Sequence, residues 1–145
     1  MTYSILGWAE DTGDLGVAVQ SRFPGVGSLV PYGEAEVGVV ATQGFANPRH
    51  GSSGLTLLRC GATPQQAVQV LLTGDAQAHR RQFALVDRWG DVAAHTGADL
   101  HTWDGWAGSC AGRHCVALGN GLAGAGVVEE MVRTFQRSDL SLAER

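Results

Sequence analysis

The stretch "EVGVVATQGF", residues 36–45, decides the fold. Val37, Val39, Val40 and Ala41 make it apolar on both alternating faces, so a strand here has no side to give to water and must lie between two layers. Other β segments surround it. "TYSILGWA" (2–9) and "LGVAVQSR" (15–22) flank the turn residues of "EDTGD", which predicts an N-terminal hairpin. Downstream, "RQFALVDRWGDVAAHTG" (81–97) reads as a second hairpin turning at Arg88, Trp89 and Gly90, and "CVALGNGL" (115–122) as one more strand.

Helices fall in separate blocks. "SSGLTLLRCG" (52–61) offers Ser52 or Ser53 as N-cap and Gly61 as a left-handed stop. "ATPQQAVQVLLTGD" (62–75) places Thr63 as N-cap, Pro64 at the first helical position and Gln66 in a capping box, with Ala67, Val68, Leu71 and Leu72 as an apolar stripe. "GVVEEMVRTFQR" (126–137) carries Val128, Met131, Val132 and Phe135 on one face, with glutamates early and arginines late, as the helix dipole favours. The order is therefore three strands, two helices, two strands, one strand and a helix. Runs of this kind exclude a doubly wound parallel sheet and predict an α+β domain, with two antiparallel sheets face to face and helices outside.

Composition narrows the chemistry. A chain of 145 residues that is 44% hydrophobic and 17% charged suits one domain with a sizeable core. A net charge of -4 with scattered arginines gives no field for a phosphate backbone, so nucleic acid is not an expected partner and small amide or peptide substrates are. No apolar run approaches a membrane span, and the N-terminus lacks a secretory signal; a cytoplasmic location and no membrane partner are expected. Three unevenly spaced cysteines, Cys60, Cys110 and Cys115, suit free thiols in a reducing compartment. All ten basic residues are arginine, which excludes a phosphate-loop lysine, a lysine Schiff base and a serine–lysine dyad. Cys110, His114 and Cys115 lie in "HTWDGWAGSCAGRHC" (101–115), where nothing is periodic; the spacing is poor for zinc, and no cofactor or metal is expected. In the same segment Trp103 and Trp106 suit capping the sandwich or lining a pocket.

Several polar residues stand at the ends of these elements. The first hairpin brings the end of its second strand beside the start of its first, which puts Ser21 and Arg22 near Thr2. Asn47 sits in the polar loop "TQGFANPRHG" (42–51) as a substrate contact or simply a turn former before Pro48. Asn120 in "GNG" is either a turn residue or, with nearby backbone N–H groups, an oxyanion donor. His95 in "AAHTG" is a candidate at the substrate, or a buried, hydrogen-bonded imidazole.

"MTYSI", "GDLGVAVQSRFPGVGSLVPY", "VGVVATQGFANPRHGSSGL", "VDRWGDVAAHTG" and "LGNGLAG" resemble, in order and spacing, the bacterial and archaeal domain-of-unknown-function family 1028, which is grouped with the N-terminal nucleophile (Ntn) hydrolases. That resemblance implies a four-layer αββα sandwich. It also implies that removal of Met1 exposes Thr2 as a nucleophile whose own α-amine is its base, a pairing that makes chemical sense because a threonine hydroxyl is inert near pH 7 and an α-amine, with a pKa of about 8, is not. Ser21 and Arg22 would then position the nucleophile or a substrate carboxylate, and Asn120 would hold the oxyanion. Members of that family continue some tens of residues past "SDLSLAER", so the resemblance implies a chain truncated at its C-terminus, an open sheet edge and a homodimer that covers it. The alternative is a catalytically silent binding or assembly protein that keeps Met1.

Overall fold

The computed structural model describes residues 1–145. Its first hairpin pairs β1 (Thr2–Trp8) with β2 (Leu15–Ser21) in a register that sets Thr2 opposite Ser21. The double-faced stretch becomes β4 (Gly38–Gly44), preceded by a four-residue strand, β3 (Pro31–Glu34), which the sequence did not disclose. Proline cannot donate to a ladder, so β3 occurs where proline is tolerated, on an edge. The second hairpin is β5 (Arg81–Asp87) with β6 (Val92–Thr96). The unperiodic tryptophan-rich segment resolves into β7 (Trp106–Gly112), which pairs antiparallel with β8 (Cys115–Leu122). Sequence reading missed β7 because "WAGSCAG" is nearly all small residues with weak strand preference, held as an edge by β8.

Two four-stranded antiparallel sheets result, with strand orders β2-β1-β8-β7 and β3-β4-β5-β6. Between them lies an apolar layer that includes Leu6, Val39, Ala41, Ala84, Val86 and Leu118. The outer face of the second sheet is covered by α1 (Pro48–Arg59) and α2 (Pro64–Thr73) over Val40, Phe83 and Leu85. On the outer face of the first, α3 (Gly126–Arg137) lays Val128, Val132 and Phe135 over Cys115 and Ala117. This is the αββα sandwich that the two-faced strand required, since each sheet face then meets an apolar partner. None of the helices is long and apolar enough to cross a membrane.

Helix α1 begins earlier than the serine pair suggested. Asn47, not Ser52 or Ser53, is its N-cap: the Asn47 side chain accepts from the Arg49 N–H at 3.2 Å, and Pro48 fills the first helical position. Gly51 and Gly54 look like helix breakers in sequence, yet they let α1 sit close on the sheet. A Cβ at Gly51 would come within 2.2 Å of the Tyr32 ring. Helix α2 forms as its sequence dictates, with the Thr63 hydroxyl accepting from Gln66 N–H and the Gln66 side chain returning to Thr63 N–H.

Candidate functional site

At one end of the sandwich the apolar layer gives way to two facing rows of polar side chains. Strand register fixes the first row: Thr2 pairs with Ser21 on one side and with Asn120 on the other. Cross-strand partners project to the same face, so these three stand side by side and face inward, in step with buried Ser4 and Leu6 on β1. The opposing row is Gln43, Gln82 and Thr96, again paired across β4, β5 and β6.

Buried amides tie the rows together. Ser4 Oγ donates to Gln43 Oε1 at 2.6 Å, Gln43 Nε2 donates to Gln82 Oε1 at 2.8 Å, and Asn120 Nδ2 donates to the same oxygen at 2.9 Å. Gln82 Nε2 crosses to the other sheet and donates to the Gly119 carbonyl at 2.8 Å and the Gly108 carbonyl at 3.1 Å. No ionised group is needed to satisfy these atoms, which is how a polar ladder survives at 0–2% exposure.

Thr2 lies at the outer end of this ladder, where the layer opens into a cavity of about 350 Å³ shared with Ser21, Gln43 and Phe45. Its Oγ1 is 2.9 Å from Ser21 Oγ. Ser21 Oγ also accepts from the Phe23 N–H at 3.0 Å and donates to the Met1 carbonyl at 3.2 Å. With its single proton given to Met1, Ser21 is an acceptor toward Thr2. Loss of Met1 would free that proton to turn toward the Thr2 oxygen or the new amine. Gly121, at φ +64°, passes so close to the chain start that a Cβ there would come within 3.2 Å of the Met1 nitrogen. Ala46 also lines this cavity, and its N–H enters no hydrogen bond.

A second polar cluster occupies the other face of β5. Asp75 accepts from Arg81 Nε at 2.7 Å, from the Gln77 N–H at 2.9 Å and from Asn47 Nδ2 at 3.4 Å, and His50 Nε2 lies 3.0 Å away. The Arg81 hydrogen bonds, foremost, hold the Asp75 carboxyl far below the ordinary carboxylate range. Burial outweighs Asp75 at His50 and lowers the imidazole's proton affinity. A groove of about 620 Å³ opens beside this cluster between α1 and α2. Asp75 and Arg81 spend their charges on each other, and the groove's hydroxyls have no amine beside them.

The family assignment follows from the whole chain. The family model described as "Family of unknown function (DUF1028)" matches residues 2–145. The chain belongs to the DUF1028 family. A crystal structure of protein SPO2555 from Silicibacter pomeroyi, assigned to the same family, is similar to it at 32% sequence identity with a TM-score of 0.93. The match covers 99% of this chain and 62% of that one, so the chain spans less than two thirds of that relative's length. No curated protein matches it.

Of the residues singled out in sequence, this DUF1028 domain brings Thr2, Ser21 and Asn120 into one row, with Arg22 next to Ser21 at the exposed end of the hairpin. Asn47 and His95 lie elsewhere. Asn47 caps α1 and reaches Asp75, while His95 stands on the helix side of the second sheet, 5.4 Å from Phe83 between ring centroids, with Nε2 2.9 Å from the Ala78 carbonyl. Asn120 is not in a turn: β8 continues through it, and its side chain is buried on Gln82. Among the cysteines, Cys60 is exposed, and burial, with Cys110 nearby, pushes the Cys115 thiol up to about 11. No three His, Cys, Asp or Glu side chains converge as metal ligands. Gln82 was not among the sequence candidates. Its only local signal was an amide inside an otherwise apolar strand, "RQFALV" (81–86).

Proposed function

We propose that the chain is an amide hydrolase of the N-terminal nucleophile type, acting on a small amide or peptide-like substrate through Thr2 once Met1 is removed. The observation that carries this reading is the Thr2 hydroxyl, 2.9 Å from Ser21 Oγ at the mouth of an inter-sheet cavity, one peptide bond from the chain start. In the proposed reaction the Thr2 α-amine takes the proton from Oγ1 as that oxygen attacks the substrate carbonyl carbon. The amine then delivers the proton to the departing nitrogen as the C–N bond breaks. Water, activated by the same amine, attacks the threonyl ester; the acid leaves and Oγ1 regains its proton. Negative charge on the tetrahedral oxygen needs donors placed in advance, and the candidates are the unpaired N–H of Ala46, a residue lining the cavity, and the second Nδ2 hydrogen of Asn120, the cross-strand partner of Thr2. Arg22, which has no carboxylate partner and is not among the residues lining the cavity, would meet an acidic group on the amine portion of the substrate.

A silent binding or assembly protein is favoured by one observation: the Met1 carbonyl is itself a partner, accepting from Ser21 Oγ at 3.2 Å and from the Arg22 N–H at 3.5 Å. Activity assays on two preparations, one with intact mass lacking methionine and one retaining it, separate the readings. The hydrolase reading expects turnover of amides only in the first, abolished by Thr2→Ala. Equal turnover in both would remove the amine from the mechanism.

A further inference from the structure

The cavity beside Thr2 is uneven in its chemistry. One end carries hydroxyls and amides, Thr2, Ser21 and Gln43, and the rest is Phe23, Val26, Leu29, Val30 and Phe45 with short backbone segments. None of these side chains is titratable. Two of them are large, apolar and left in water, Phe23 at 61% exposure and Phe45 at 45%. An exposed aromatic pair at the rim of a cavity with polar groups at its base is what an apolar ligand group would cover.

The Phe45 ring and the Phe23 backbone are both held. The Arg80 guanidinium lies 4.2 Å from the Phe45 ring centroid and Arg81 5.2 Å away, while Arg81 also donates to the Phe45 carbonyl. Phe23 is anchored through its backbone N–H on Ser21 Oγ, the atom that also meets the Thr2 hydroxyl. The Phe45 side of the apolar wall is therefore held by the arginines, and the Phe23 backbone is tied to the atom that meets the oxygen that would attack. A charged acyl group in the same position would lose water with no counter-charge in the wall to replace it.

We propose that this cavity is an acyl-group subsite that selects amides with an uncharged, apolar acyl chain, aromatic or branched aliphatic, seated between Phe23 and Phe45. The inference rests on Thr2 as nucleophile for its orientation, with the carbonyl at Thr2 and the acyl chain toward the two rings. Primary amides test it without interference from a leaving group, because each releases ammonia. With Met1-free protein, kcat/KM for phenylacetamide is expected to exceed that for acetamide and for succinamate at least tenfold, and Phe23→Asp to cut that advantage to less than threefold. Phe23 is mostly exposed, so this variant stays folded where Phe45→Ala could fail. Equal or better turnover of succinamate overturns the acyl preference while leaving the nucleophile standing. Calorimetric titration of phenylacetamide into Thr2→Ala protein, with and without Phe23→Asp, decides the subsite even if no amide is turned over. Binding that Phe23→Asp weakens at least fivefold supports the subsite with the nucleophile reading lost; no binding, or binding insensitive to Phe23→Asp, overturns it.

Discussion

Strand β5 holds two buried polar clusters on opposite faces, and they are built from different chemistry. Toward the other sheet, Gln82 joins Gln43 and Asn120 in a ladder of neutral amides. Toward the helices, Arg81 and Phe83 lead into the Asp75, His50 and Arg81 cluster, which is ionic. The ionic cluster ties the α2–β5 connection to the start of α1, and its charges are satisfied internally. The amide ladder carries no charge and ends at Thr2, where the Thr2 and Ser21 hydroxyls pair at the mouth of the inter-sheet cavity. Charge has gone where it fastens the chain, and neutral hydrogen bonding where a reacting carbonyl would have to enter; the more ionic cluster is thus not the better active-site candidate.

Breaking the ionic side is expected to cost the most stability. Asp75→Ala leaves Arg81, with its side chain 9% exposed, without its carboxylate, and removal of one partner of such a pair costs about 3–5 kcal/mol. Urea unfolding should show that loss, with amide turnover per folded molecule falling less than when the neutral ladder is cut. Cutting the neutral side is expected to cost less stability and more activity. Gln82→Leu strands Asn120 Nδ2 and the Gly119 carbonyl, a loss of about 1–3 kcal/mol. It also releases the Asn120 amide beside Thr2, so kcat should fall further than it does in Asp75→Ala.

The smallest expected effect is in pH dependence, and it belongs to the ionic side alone. Asp75 has its folded pKa depressed, so its contribution is fully present above the unfolded value of about 3.9 and is lost as pH falls below it. His50 resists protonation in the fold, so the unfolded chain takes up a proton near pH 6.5 that the native one refuses, and stability falls as pH drops through that range. Denaturation midpoints at pH 7.5 and 5.5 should show a steeper decline for the native chain than for His50→Gln. An equal slope would remove His50 from this account.

How much of this was legible depended on how local each cause is. The first hairpin, the α2 capping box and the two-faced β4 each declare themselves within one short continuous stretch, and they were enough to place Thr2 beside Ser21 and to require four layers. Strand β7 is held by its neighbour and not by its own residues, so it stayed hidden. Asn47 read as a turn former or a substrate contact because a polar residue in a loop and a helix cap have the same local signature; the Arg49 N–H shows the cap. Gln82 was illegible for the opposite reason: three of its partners, Gly108, Gly119 and Asn120, are 26 to 38 residues away in sequence and meet it only when the sheets stack.

The central claim is that the reactive group of this DUF1028 chain is the Thr2 hydroxyl next to a liberated amine. Treatment of Met1-free protein with a β-lactone, followed by mass mapping of its peptides, tests that claim most directly. The expected result is one adduct per chain, on the peptide that begins at Thr2, absent from Thr2→Ala and from protein that retains Met1. An adduct on the exposed Cys60 thiol alone, or none on the N-terminal peptide, would contradict it.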